Sequence, residues 1–338
     1  MTNPFFAIFQ NEVLLNSKRV APYVMALVCG GNALLWWGWG PATGRGWATN
    51  ADFLIAGMLP VYSFMTLPLF TVLLMADPVI RDVRTGIDPL IFSKPISRAQ
   101  YLLGKFFGNF FVLVCCQAAF VLTLFVLQAF HKEGMVVQEA KVVPYIKHFL
   151  VFVAISHLFL AAVYFTIGTL TRNAKIVYGL GVSFYPVYIT YQAVFIKSLP
   201  PRWHVILDPL VMNYGNVHAY RRSAEWLNQL VVSYDAGLIV NRVVMLSLAA
   251  ICLLILYARF SITDRSGNVE KFSVLNLSTE VEIVYFTSES LLSLDPRKQE
   301  VVPLPKVEKA TAGIGAYVSK LISAVGTELR LLRAERSL

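Results

Sequence analysis

The chain has 338 residues, 57% hydrophobic and only 14% charged, with a mean hydropathy of +0.61. That is too apolar for a water-soluble domain of this length and reads as a membrane protein. A formal charge of +9 suits loops lying against anionic membrane lipid, so no nucleic acid partner is expected.

Residues 4–19 set Phe5, Phe6, Ile8, Phe9 and Val13 against Gln10, Asn11, Glu12, Asn16 and Lys18. This predicts a short amphipathic helix in the membrane interface, apolar face down. Uncharged or nearly uncharged runs then follow at 20–39, 53–76, 106–130, 149–170, 176–196 and 237–258. Each is long enough for a hydrocarbon core of about 30 Å. The expected fold is therefore an all-α membrane protein in three parts: an interfacial helix (1–19), a six-span domain (20–260) and a small, mostly polar cytoplasmic tail (261–338). The start, Met1-Thr2-Asn3-Pro4, lacks the basic region and cleavage site of a signal peptide, so the first run reads as a retained span.

Trp36, Trp37, Trp39 and Trp47 cluster where the first span meets the far surface, as an aromatic belt does. Pro60 and Pro68 predict kinks in the second span. The four cysteines, Cys29, Cys115, Cys116 and Cys252, fall within the apolar runs without a CxxC spacing and read as small apolar residues, with no metal expected. His157 stands out as an ionisable group deep in a span, and a neutral histidine packed against another helix accounts for it. In the fifth span, Tyr178, Gly181, Tyr185, Tyr188 and Gln192 share about 80° of arc, as a helix-packing face or as the lining of a substrate path.

The 197–241 loop is long enough to require at least one short surface helix. Beyond it, stretches 272–277 and 281–286 alternate like strands. From about residue 311, Ile314, Val318, Leu321, Val325, Leu329 and Leu332 form one face of a basic amphipathic helix. Basic residues number nine in the inner loops and nine in the outer loops if the N-terminus is inside. Four of the outer ones lie in the single long loop and a fifth, Arg242, directly follows it; the positive-inside rule discounts long loops, so both termini are expected in the cytoplasm.

The most specific stretch is 77–105, charged and punctuated by proline. It predicts a short helix over 78–85, a stop at Gly86 and a restart after Pro95-Ile96, with Ser97 as N-cap of the third span. Its Arg81-Asp82-Val83-Arg84-Thr85-Gly86, Ser93-Lys94-Pro95-Ile96-Ser97-Arg98 and Leu103-Gly104-Lys105 resemble the first cytoplasmic loop of ABC-2-type transporter permeases. Ile87 and Asp88 depart from the Thr and Glu frequent there. Leu207-Asp208-Pro209 and Asn241-Arg242-Val243-Val244 resemble the branch of that family fused to, or encoded beside, a zinc aminopeptidase domain.

The resemblance spans about residues 5–260. It implies a half-transporter in the cell inner membrane that pairs with a second permease copy or a paralogous half and is driven by a separate ABC ATP-binding subunit. ATP and Mg would sit on that partner and no cofactor on this chain. Arg81, Asp82, Arg84 and Arg98 would contact the ATPase, Gly86 and Pro95 would set the bend of a coupling loop, and Gly104 and Lys105 would mark the start of the third helix. The turn 171–175 would make a second contact.

The sequence itself fits an ATPase in trans. Gly104-Lys105 has Ala99 where a phosphate-binding loop needs its first Gly and Phe106 where it needs Ser or Thr, and no HExxH peptidase signature occurs. The chain is therefore read as a transport subunit and not an enzyme; the rival reading is a permease-derived scaffold that transports nothing. Thr327-Glu328-Leu329 echoes Asn11-Glu12-Val13, as if a second repeat began there or the tail helix were a docking element.

Overall fold

The computed structural model describes residues 3–39, 46–48, 50–65, 67–128, 141–212, 214 and 223–260. All of them belong to the compact unit Met1–Val269. The tail strands, the basic tail helix and its echo of the N-terminus lie outside the described residues.

Every described element is helical. Helix α1 (Pro4–Ser17) is capped by the Asn3 side chain and separated by a turn at Lys18 from α2 (Val20–Trp39). The second predicted span is broken between α3 (Asp52–Met65) and α4 (Leu67–Met75), the segment Leu67–Arg84 that α4 opens standing at 52° to α3, with Pro68 in the first turn of α4 and Pro60 inside α3. Proline lacks an N–H and clashes with the preceding turn, so the break falls where the chain cannot continue its hydrogen bonds.

The 77–97 loop holds the predicted helix α5 (Pro78–Arg84), ended by Gly86 at φ +66°, and a further one, α6 (Asp88–Phe92), which sequence reading did not anticipate. Ser97 and Gln100 then cap α7 (Arg98–Leu127) reciprocally, each side chain accepting the other's backbone N–H. At 30 residues, α7 extends about 45 Å and outruns the hydrocarbon, leaving its first turns beside the α5–α6 loop.

Helix α8 (Val142–His148) runs through a π-helical stretch (Phe149–Ala154) into α9 (Ile155–Thr171). Helix α10 (Ala174–Thr190) likewise passes into a π-helical stretch, Tyr191–Ile196. Among its described residues the long loop, where at least one short helix was expected, forms α11 (Pro201–Ile206) and α12 (Ala224–Gln229) before α13 (Ala236–Arg259).

Among the described residues four helices are long and apolar enough to cross a membrane: α2, α7, the unbroken α8–α9 and α13; the bent pair Asp52–Met65 and Leu67–Arg84 would make five. The fifth expected span, 176–196, is helical throughout, but its tyrosines, Pro186 and Gln192 leave it outside that group.

Two apolar clusters fill the bundle. One centres on Tyr62, Phe120 and Phe152 and the other on Met75, Phe106 and Phe165. Fully buried His157 joins the halves of the broken span. The Thr71 hydroxyl donates to Leu67 O, so it accepts from His157 Nδ1–H at 2.8 Å, which leaves Nε2 to accept from Ser63 Oγ at 2.8 Å. Ser63 belongs to α3 and Thr71 to α4. His157 is thus a neutral packing residue that staples the two pieces.

Candidate functional site

The α5–α6 loop is fixed to the bundle through a groove in α7. A Cβ at Gly104 would stand 2.9 Å from Ile8 Cβ, and one at Gly108 would stand 2.7 Å from Glu12 Cβ. Only glycine lets α1 lie against the α7 backbone this closely. The contact turns the polar face of α1 inward: Glu12 and Asn16 are its fully buried residues, while Phe6 and Leu14 are exposed.

Glu12 meets two cations there. Arg81 Nη2 donates to both carboxylate oxygens at 2.8 and 2.7 Å, and Lys105 Nζ donates to Oε1 at 2.6 Å. Asn109 Nδ2 donates to Oε2 at 3.0 Å and Asn16 Nδ2 to Asn109 Oδ1 at 2.8 Å. Lys105 also pairs with Asp82 at 2.8 Å and donates to Pro78 O at 3.0 Å, and Tyr101 OH donates to Asp82 at 2.8 Å. Two carboxylates thus balance two cations out of water, with their hydrogen-bonding capacity directed at one another. Burial alone would raise the Glu12 carboxyl, but the ion pairs and hydrogen bonds from Lys105 and Arg81 outweigh it and hold it below the usual carboxylate range.

Other residues of the stretch face outward. Arg84 is exposed and reaches Asp77 at 3.3 Å, a surface pair of little strength. Ile87, Leu90, Lys94 and Pro95 are exposed too. Between this surface and α1 lies a cavity of about 440 Å³ walled by Ile8, Leu15, Ile91 and Ile96. Arg98 Nη1 donates to Phe260 O at 3.3 Å, tying the start of α7 to the end of α13. The 171–174 turn, with Arg172 left-handed at φ 53°, lies at this same end, because a Cβ on Gly168 would meet Ala76 O at 2.7 Å.

At the opposite end Asp208, Pro209, Asn241 and Arg242 converge. Asn241 Nδ2 donates to the carbonyls of Val205, Ile206 and Asp208 at 2.8 to 2.9 Å, closing the end of α11 from within α13. Arg242 Nη1 donates to Ser156 Oγ at 2.7 Å and to Val151 O at 3.0 Å, a carbonyl of the first π-helical stretch; Ser156 in turn donates to Pro209 O. Asp208 accepts from Tyr188 OH at 2.7 Å and from the backbone N–H of Leu210 and Met212. Burial pushes its carboxyl up against those hydrogen bonds. The turn it braces contains Val211 at φ +53°, a strained setting for a β-branched residue.

No protein-family model matches the chain, and no curated protein matches it.

The residues singled out from sequence therefore divide. Arg81, Asp82 and Lys105 come together with a residue the sequence did not flag as functional, Glu12. The signal available was one acidic residue on a short helix otherwise apolar or amide-bearing. Arg84, Gly86 and Pro95 form the loop's outer side. In the fifth-span stripe, Gly181 packs on Val72, Tyr185 OH donates to Met65 O, and Tyr188 and Gln192 serve the Asp208 turn, Gln192 Nε2 donating to Tyr188 OH at 2.9 Å. Tyr178 stands apart, half exposed. Lys105, His148 and Arg242 are also deeply buried, each with a carboxylate or carbonyl partner. Among the described residues no three His, Cys, Asp or Glu side chains converge as a metal site requires. What the α5 site does is mechanical: it locks a surface loop to two helices.

Proposed function

We propose that the chain is the membrane-spanning subunit of an ATP-driven exporter of the ABC-2 type, powered by a separate ATP-binding subunit that bears on the α5–α6 loop. The observation that carries this reading is the buried Glu12–Arg81–Lys105–Asp82 lock. A plain connector between spans gains nothing from burying four charges, whose desolvation is costly. A lever must not bend at its root, and this lock makes α1, α5 and α7 move as one body when the loop is pushed.

In this reading six spans are counted: α2, α3–α4, α7, α8–α9, α10 with its π-helical extension, and α13. The termini and the α5 end face the cytoplasm of a cell inner membrane, and two such chains, or this chain and a paralogous half, form the path. Mg and ATP belong to the partner. Arg84, Ile87, Leu90 and Lys94 would form the docking surface, while Arg81 and Asp82 would act from behind it.

The test is reversal of the outward cations, Arg84→Glu with Lys94→Glu, in a complex purified through a tag on this chain. An ATP-binding subunit should co-purify with the parent chain, and the reversal should weaken its retention or uncouple its turnover from this subunit. Retention with turnover indifferent to the reversal would refute coupling and leave the scaffold role.

A further inference from the structure

At the α11 end of the bundle a second cavity, about 540 Å³, opens beside the Asp208 turn. This is within the size range of small-molecule pockets. Its walls are apolar: Phe64 from α3, Ile189, Ala193 and Ile196 along α10 and its extension, and Met212. At the rim stand Lys197 and His204, and no carboxylate is among the lining residues.

The floor is polar but already satisfied. Tyr188 OH donates to Asp208 and accepts from Gln192 Nε2, so nothing there calls for a charged ligand group. Among the lining residues Lys197 alone carries a fixed charge, and it is exposed, while His204 donates from Nε2 to Leu199 O at 2.8 Å. From Ile189 to Lys197 the wall rises eight helical residues, about 12 Å, enough for one extended alkyl chain. Gln192, Ala193 and Ile196 belong to the π-helical stretch Tyr191–Ile196, and such wide turns recur at functional sites.

We infer that this cavity binds a single-chain anionic amphiphile of the long-chain carboxylate type, its chain along Phe64, Ile189 and Ala193 and its head on Lys197. Apolar walls select the chain, and the one cation at one end selects the sign and direction of the head. As a binding site this is independent of the transport reading; only the further step, that the amphiphile is cargo, rests on it.

The test is photolabelling of the full chain, in nanodiscs of zwitterionic phosphatidylcholine, with a diazirine-bearing dodecanoate mapped by mass spectrometry. Labels should concentrate within 189–212, and dodecanoate should compete for them while dodecyltrimethylammonium should not. Lys197→Glu should raise the concentration needed for half-labelling by roughly tenfold. Ala193→Trp, which fills the cavity from a lipid-facing helix, should abolish labelling there, with thermal unfolding confirming that both variants fold.

Even labelling of all lipid-facing helices would overturn the proposal. So would loss with Lys197→Glu alone, which would mean surface attraction without a cavity, or loss with Ala193→Trp alone, which would mean no selection for an anion. Stimulation of a partner ATPase by dodecanoate is a separate readout. Its absence with labelling intact upholds the site and removes only its role in transport.

Discussion

Glu12→Gln is the most informative single substitution. Glu12 is fully buried and accepts from Arg81, Lys105 and Asn109 at 2.6 to 3.0 Å, and the cations it faces are almost as buried, with side chains 10% and 4% exposed. The substitution preserves shape but turns a balanced set of two carboxylates and two cations into one carboxylate facing two cations. Removing one partner of a buried pair typically costs about 3–5 kcal/mol, because the charge left behind has no water to return to. Thermal unfolding in detergent or nanodiscs should show a loss of that size at neutral pH.

The pH dependence has a defined sign. The folded Glu12 carboxyl lies below its ordinary value of 4.5, so its stabilisation is complete above that value and disappears as pH falls through the lowered one. Parent and Glu12→Gln should therefore converge in acid. Lys105 keeps Asp82, so the stranded cation is Arg81, and adding Arg81→Met to Glu12→Gln removes it and should recover part of the loss. A Glu12→Gln chain within about 1 kcal/mol of the parent, or strictly additive losses in the double variant, would refute the lock as an interdependent unit.

His157→Phe keeps the bulk but strips the staple across the broken span, leaving Ser63 without its acceptor. A loss of roughly 1–3 kcal/mol is expected, with faster hydrogen exchange across residues 63–71. Gly181→Ala should cost about 1–3 kcal/mol, because its new Cβ would lie 2.4 Å from Val72 Cγ2. Gly179→Ala, two residues earlier on the same helix with nothing within 4 Å, should be neutral or slightly stabilising. Equal thermal shifts for the two glycine variants would refute close packing of α10 on α4.

Much of the architecture was legible because it rests on local chemistry. The apolar runs, the Gly86 stop, the Ser97 cap and the surface helices within 197–241 depend on hydropathy, backbone freedom or one hydrogen bond, and each lies within a few residues of its cause. Asp208 and Asn241 were singled out as parts of two separate motifs, and their meeting, an amide closing the end of α11, is a contact between residues 33 apart.

The site at α5 was half legible. Arg81 and Lys105 were visible as charges, and sequence reading turned Arg81 toward a partner and set Lys105 at the start of the third helix, because exposed cations are the common case. Their inward orientation depends on Glu12, 69 and 93 residues away, and on two glycines whose effect appears only when another helix lies on them. Helix α6 escaped notice because five residues carry too little periodicity to declare a helix.

The seat of α1 also sets an order of assembly. Helix α1 is made first, yet Lys105, Asn109 and the glycines that receive it follow roughly a hundred residues later. Until α7 is in place, Glu12 lacks Lys105, Asn109 and the glycine groove that seats it, with Arg81 of α5 as its one cation, so α1 stays a peripheral helix and docks late. Completion of the lock then reports that the first three spans and the loop between them have reached their places.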